Sequence, residues 1–211
     1  MNFYKITNKS EKHHRMQYKT GLNVDIRPFN PKGNCKRGGI NFSREDILVF
    51  LNFGPWIRKV TLPEDAKVYE NPIILKVYEN PGIIKKWKAD KVILGRRSKI
   101  TPKKIKQLIE EGANPKIGDS YPLRWAAKNG NLEIVKLLLP VSDPKSYGSE
   151  ALRWASINGH LKMVKLLIPV SEPKDNDSAA LKWAARRKHS RIVKLLIPVS
   201  DPKIVKELKL D

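Results

Sequence analysis

The chain has 211 residues, with 42 Lys and Arg against 21 Asp and Glu and a formal net charge of +21. It carries a single cysteine and no run of about 18 apolar residues, which excludes an intrachain disulfide or a Cys-built zinc site and argues against a membrane-crossing helix. The excess charge is shared, with 21 basic against 9 acidic residues in 1–100 and 21 against 12 in 101–211, so it is not a detachable tail. Such a balance draws in acidic proteins, nucleic acid or anionic surfaces over long range.

Residues 1–10 hold no apolar stretch of the secretory kind, so an intracellular, reducing setting is expected, and Cys35 reads as a passive thiol. Gly38-Gly39 followed by Ile40-Asn41-Phe42 predicts a turn into a short strand. Ser43 with Asp46 three residues on predicts a capped helix over 44–53, ended by Gly54-Pro55. Strands are expected over 56–62, over 67–69 and over 91–94, before the basic run Arg96-Arg97-Ser98-Lys99. Lys67-Val68-Tyr69-Glu70-Asn71-Pro72 returns as Lys76-Val77-Tyr78-Glu79-Asn80-Pro81, a local duplication suited to a surface loop. Together these features predict a small α+β domain over 1–98, with a mixed or antiparallel sheet.

From residue 101 onward the pattern is periodic. Leu123-Arg124-Trp125-Ala126, Leu152-Arg153-Trp154-Ala155 and Leu181-Lys182-Trp183-Ala184 are offset by 29 residues. Ile134-Val135-Lys136-Leu137-Leu138, Met163-Val164-Lys165-Leu166-Leu167 and Ile192-Val193-Lys194-Leu195-Leu196 follow at the same offset. Self-similarity of this kind means stacked units, none of which can bury its apolar face alone. Each unit reads as two short helices: a first over 122–129, 151–158 and 180–188, and a second over 132–139, 161–168 and 191–197. Gly130 and Gly159 supply the turns, and Pro140, Pro169 and Pro198 stop the second helices. Thr101-Pro102 opens a lone helix over 103–110, read as a partial first unit over 101–119. Full units are expected near 120–148, 149–177 and 178–203, with a capping helix over 204–211. Leu123, Trp125, Leu152, Trp154, Leu181, Trp183, Leu137, Leu166 and Leu195 are expected to form the repeat core.

Gly112-Ala113-Asn114-Pro115, then Tyr121-Pro122-Leu123-Arg124-Trp125-Ala126-Ala127-Lys128-Asn129-Gly130-Asn131-Leu132-Glu133-Ile134-Val135-Lys136-Leu137-Leu138-Leu139, resembles the ankyrin repeat nearly position by position. The resemblance covers about half of the chain and implies an all-α ankyrin-type solenoid over 101–211 that binds a macromolecule. The family has His where Arg124, Arg153 and Lys182 stand and a repeat of about 33 residues, so the projecting hairpins must be shortened here. Lys188 replaces the turn glycine in the last unit, where an irregular turn is expected. The first half resembles, through Tyr4-Lys5-Ile6-Thr7, Gly38-Gly39-Ile40-Asn41-Phe42 and Trp56-Ile57-Arg58-Lys59-Val60-Thr61-Leu62-Pro63, the module that precedes ankyrin repeats in mimivirus-like giant DNA viruses. That origin implies a viral protein at work in a host cell, in the cytoplasm or virion, with the nucleus also open.

No chemistry emerges from the residue pattern. His13 and His14 are adjacent, His160 and His189 occupy matching turn positions, and neither pair makes a metal motif. Gly33, Gly38 and Gly39 lack the context of a phosphate loop, and no nucleophile stands with a base and an orienting partner. No cofactor, metal or catalytic residue is therefore expected, with an enzyme in the first half kept as a third reading. Stacking should align Arg124, Arg153 and Lys182 in one basic column, Lys136, Lys165 and Lys194 in a second, and Lys145, Lys174 and Lys203 in a third. Arg186, Arg187, Arg96 and Arg97 extend the possible footprint. The leading expectation is an interaction scaffold for an acidic protein partner. The alternative is a non-specific nucleic-acid binder whose basic columns meet phosphates.

Overall fold

The computed structural model describes residues 2–13, 15–31, 36–75 and 82–210. His14, Gly33, Cys35 and the second copy of the duplicated segment, 76–81, lie outside the described residues. The chain forms two compact units, Met1–Gly118 and Asp119–Asp211.

In the first unit β1 (Phe3–Thr7), β2 (Lys12–His13), β3 (Met16–Gln17), β4 (Gly21–Val24) and β5 (Ile40–Phe42) precede a 3₁₀ helix, Ile47–Phe53. After it come β6 (Trp56–Thr61), β7 (Val68–Glu70), β8 (Ile73–Leu75), β9 (Gly82–Ile84), β10 (Trp87–Ala89), β11 (Lys91–Leu94), β12 (Ser98–Lys99) and α1 (Pro102–Glu110). The main sheet runs β1-β6-β11-β4, with β12 also on β6, and a second sheet runs β5-β10-β7. All of these pairings are antiparallel, with Ile6 opposite Ile57 and Leu22 opposite Ile93. Ile40, Phe42, Val60, Ala89, Val92 and Leu94 form the core, against which Phe3 and Trp87 pack edge to face at 5.2 Å.

Ser43 does not cap a helix. Its hydroxyl donates to the Lys85 carbonyl at 2.8 Å and its backbone pairs with Tyr4, so the chain is held extended and the turn tightens only from Ile47. Arg58 and Glu11, both almost fully buried, form a two-pronged pair at 2.7 and 2.9 Å, and Arg58 also donates to the Gly95 carbonyl at 2.6 Å. The Arg58 hydrogen bonds hold the Glu11 carboxyl below its usual pKa against the opposing effect of burial. Helix α1, expected as the head of the repeats, falls in the first unit: Tyr4 donates to Glu111 at 2.7 Å and Asn114 to the Glu45 carbonyl at 2.7 Å.

The second unit consists of three helix pairs. They are α2 (Ile117–Lys128) with α3 (Leu132–Leu138), α4 (Ser146–Ile157) with α5 (Leu161–Leu167), and α6 (Asp175–Arg186) with α7 (Ser190–Leu196). A short α8 (Pro202–Glu207) follows, opened by Asp201, whose side chain accepts from the Lys203 N–H. Each second helix tightens into one 3₁₀ turn around its proline, at Leu139–Val141, Ile168–Val170 and Ile197–Val199. The connection into each first helix takes a form that the repeat pattern did not suggest. At 118–120, 147–149 and 176–178, three successive residues adopt left-handed φ between 51° and 58° before each first helix turns right-handed. Such a conformation costs each non-glycine residue about 1–2 kcal/mol.

Candidate interaction surface on the repeat array

The last residue of each left-handed turn is a buried serine whose hydroxyl accepts a backbone N–H from 23 residues further on. Ser120 takes Asp143, Ser149 takes Glu172 and Ser178 takes Asp201, each at 2.8 Å. These clasps satisfy donors of the loop that leads into the next unit, so the spacing of 29 residues is locked at every step. A second lock lies at the opposite turn. The His160 ring sits over Gly130 and the His189 ring over Gly159, where an added Cβ would lie 2.8 Å from the imidazole. The His189 Nε2–H reaches the Ile157 carbonyl at 3.0 Å. Both histidines are thus structural. Lys188 keeps the left-handed turn of its glycine counterparts (φ 58° against 72° and 74°), contrary to the irregular turn expected, because no described imidazole occupies the space over it.

With the stacking fixed, each first helix has one sector left open, at positions i, i+3, i+4 and i+7. The sector holds Tyr121, Arg124, Trp125 and Lys128, then Glu150, Arg153, Trp154 and Ile157, then Ala179, Lys182, Trp183 and Arg186, all half-buried or exposed. The intervening Leu123, Ala126, Leu152, Ala155, Leu181 and Ala184 have no exposed surface. Of the expected core, Leu123, Leu152 and Leu181 are therefore fully enclosed. Trp125, Trp154 and Trp183 are only half-buried, because the small alanines beside them bring neighbouring helices close and leave the large indoles at the rim. Likewise Leu137, Leu166 and Leu195 are half-buried, and it is Leu138, Leu167 and Leu196 that are fully enclosed.

The open stripe is an aromatic ladder threaded with cations. Lys128 Nζ stands 4.3 Å from the Trp154 ring centre, and the Arg186 guanidinium 5.2 Å from that of Trp183. Arg124 lies 4.4 Å from the Tyr147 ring centre, donates to the Asp119 carbonyl at 3.1 Å and is ion-paired with Glu150. Arg153 joins the same carboxylate at 3.0 Å. Burial pushes the Glu150 pKa up, but the Arg124 bond and the two positive charges outweigh it and hold the carboxyl below its ordinary value. In the third unit Ala179 stands where Glu150 does, and Lys182 has no carboxylate beside it among the described residues.

The predicted columns therefore divide along the array. Lys145 pairs with Glu172 and Lys136 with Glu133 at 2.9 Å, while Lys174 and Lys203 are exposed. Units 120–148 and 149–177 carry four basic against two acidic and four against four residues. Unit 178–203 carries Lys182, Arg186, Arg187, Lys188, Arg191, Lys194 and Lys203 against Asp201 alone. None of those seven is in an ion pair among the described residues, whereas Arg124, Lys136, Lys145 and Arg153 all are. Counting acids unit by unit would have revealed this asymmetry, since every pairing acid lies in the first two units. Arg96 and Arg97 belong to the first unit. Arg97 is occupied by Glu11 at 3.5 Å and stacks 4.6 Å from the Trp56 ring centre, while Arg96 is exposed. Among the described residues no cluster of three His, Cys, Asp or Glu could hold a metal ion, and no helix is long and apolar enough to cross a membrane.

A family model for ankyrin repeats in three copies matches residues 98–177 and 123–207. Two ankyrin repeat proteins of Acanthamoeba polyphaga mimivirus are similar to this chain. One is 37% identical over 143 residues, covering 64% of this chain and 46% of the relative, and the other 34% over 141 residues, covering 65% and 66%. A third protein of that virus is 37% identical over 141 residues, covering 65% of this chain and 96% of its own length. The chain thus spans less than two thirds of the first two relatives.

Proposed function

Because the chain belongs to the ankyrin-repeat family, in its giant-virus branch, we propose that it is an interaction scaffold whose open first-helix stripe grips a host or viral protein through an acidic segment. The interaction role follows from the fold. The observation that supports the finer reading is the composition of the stripe. Three half-buried tryptophans flanked by tyrosine, arginine and lysine are the residue types that anchor protein interfaces, and Glu150 breaks the continuity of positive charge that a phosphate backbone would want. Polarity along the stripe sets the register. The partner's acidic residues face Lys182 and Arg186, which lack internal carboxylates, and its apolar residues face Trp125 and Trp154.

The test is affinity capture from infected host-cell lysate with the full chain, its Trp154→Ala/Trp183→Ala variant and a Lys165→Glu control on a second helix. The scaffold reading expects a partner held by wild type and the control and lost by the stripe variant. Equal capture by all three would refute it.

A second reading rests on the seven unpaired cations of unit 178–203, which would suit backbone phosphates. It predicts that duplex DNA or single-stranded RNA binds with a steep salt slope and still binds near physiological ionic strength, about 0.15 M. Anisotropy titration decides it, and charge reversal at Arg187 and Lys194 should then abolish the signal.

A further inference from the structure

The first unit contains a cavity of about 90 Å³ that the stripe does not involve. Its apolar wall includes Phe42, Phe50 and Phe53, with Tyr18 beside them. Three lysines line the same cavity: Lys5 from β1, Lys12 from β2 and Lys86 from the approach to β10. Lys5 and Lys86 are 7% and 2% exposed, and Lys12 is on the exposed rim.

Lys5 is held in position. Its Nζ donates to the Asn41 carbonyl at 2.8 Å and lies 4.5 Å from the Tyr18 ring centre. Asn41 also has a side-chain oxygen buried without a hydrogen-bond partner among the described residues, on an amide that can present either end to a ligand. Among the described residues no Asp or Glu lines the cavity. Thr7 on the wall bonds Glu11, but that carboxylate is already occupied by Arg58 at 2.7 and 2.9 Å. Ammonium groups gathered against low-dielectric walls concentrate a positive potential inside the cavity. The aromatic side chains beside them favour an apolar body rather than a bare hydrated ion.

We infer that this cavity binds a small amphipathic oxyanion, a carboxylate or phosphate carried on a single aromatic ring or short branched chain. The anion sits among Lys5, Lys12 and Lys86, and the apolar body lies against Phe50, Phe53 and Tyr18. Pockets for larger ligands enclose roughly 300–1,000 Å³, so a nucleotide or a long acyl chain would not be enclosed here. This site is independent of the stripe, and its failure would leave the scaffold reading untouched.

The experiment is an NMR titration of the isotope-labelled full chain with benzoate, phenyl phosphate and, as the uncharged control, benzamide. Saturable shifts at Tyr18, Phe50 and Phe53 are expected with one or both anions at millimolar affinity, with benzamide at least about tenfold weaker. Benzoate alone would mark a carboxylate site and phenyl phosphate alone a phosphate site. Lys12→Ala removes a rim charge without touching the core, and should weaken the anion about threefold to tenfold while leaving benzamide unchanged. Benzamide binding as well as benzoate, shifts scattered over surface lysines without saturation, no shifts at all, or Lys12→Ala with undiminished anion affinity would each overturn the inference.

Discussion

Arg58 in the first unit and Arg124 in the repeat array each hold a glutamate, but in different surroundings. The Arg58 and Glu11 side chains are 4% and 7% exposed, and the Thr20 hydroxyl and Gly95 carbonyl saturate the guanidinium further. Arg124 and Glu150 are 14% and 15% exposed, at the edge of an open stripe with Arg153 sharing the carboxylate. A pair of the first kind is a structural fixture, because removing either member strands a charge in the interior. A pair of the second kind keeps some contact with solvent, so losing one member strands less charge.

The largest effect that would break this comparison is on Arg58. Arg58→Met leaves Glu11 buried with Arg97 as its remaining cation, and should destabilise the first unit by about 3–5 kcal/mol while the array unfolds at its usual temperature, as residue-resolved thermal melts would reveal.

Acid should separate the units in the same direction. Glu11 and Asp25 both have folded pKa values below their unfolded ones. Burial alone would raise that of Asp25, but the Arg27 fork and the Gly39 N–H bring it down to about 2. Each carboxylate therefore contributes stability that is present above the unfolded pKa, near 4, and is lost as pH falls toward the folded value. Asp46, raised by burial, works with the opposite sign and offsets part of the loss. In the array Glu150 is the carboxylate held low among the described residues. Circular dichroism and NMR between pH 5 and pH 2, roughly the span of these shifts, should show the first unit losing structure before the repeats.

Smaller effects sharpen the account of the array. Ser149→Ala removes the acceptor for the Glu172 N–H and should cost about 1–3 kcal/mol, with hydrogen exchange rising first at the junction between units 149–177 and 178–203. Lys188→Gly should stabilise by about 1 kcal/mol, because the left-handed turn favours glycine. At Gly159 the opposite change to Ala is destabilising, since its Cβ would press on His189. Lys136→Ala breaks an exposed pair with Glu133 and should move the melting temperature little, by an energy on the order of 0.5 kcal/mol or less.

The helix pairs, their 29-residue period, the turn glycines and the terminating prolines were all legible in the sequence, because each depends on local chemistry repeated three times. The β-rich first half was legible where strands announce themselves, at Ile40–Phe42 and Trp56–Thr61. It was not legible where Ser43 chose a strand partner over a helix cap, a choice made by Tyr4 and Lys85, distant in sequence.

The candidate surface divides in the same way. Arg124, Arg153 and Lys182 were identifiable as a column from spacing alone, and so was the family. Which of them is neutralised depends on Glu150, which reaches Arg153 within its own helix and Arg124 only through stacking. The indoles were expected inside because large aromatic side chains favour burial, yet the close approach permitted by Ala126, Ala155 and Ala184 puts them at the rim. Sequence by itself thus determined the repeat, its length and its excess of charge, since these follow from periodicity and composition. Tertiary structure alone decided the serine clasps that hold the left-handed turns and the ion pairs that join one unit to the next, because these contacts link residues about 23 to 27 positions apart that no local pattern encodes.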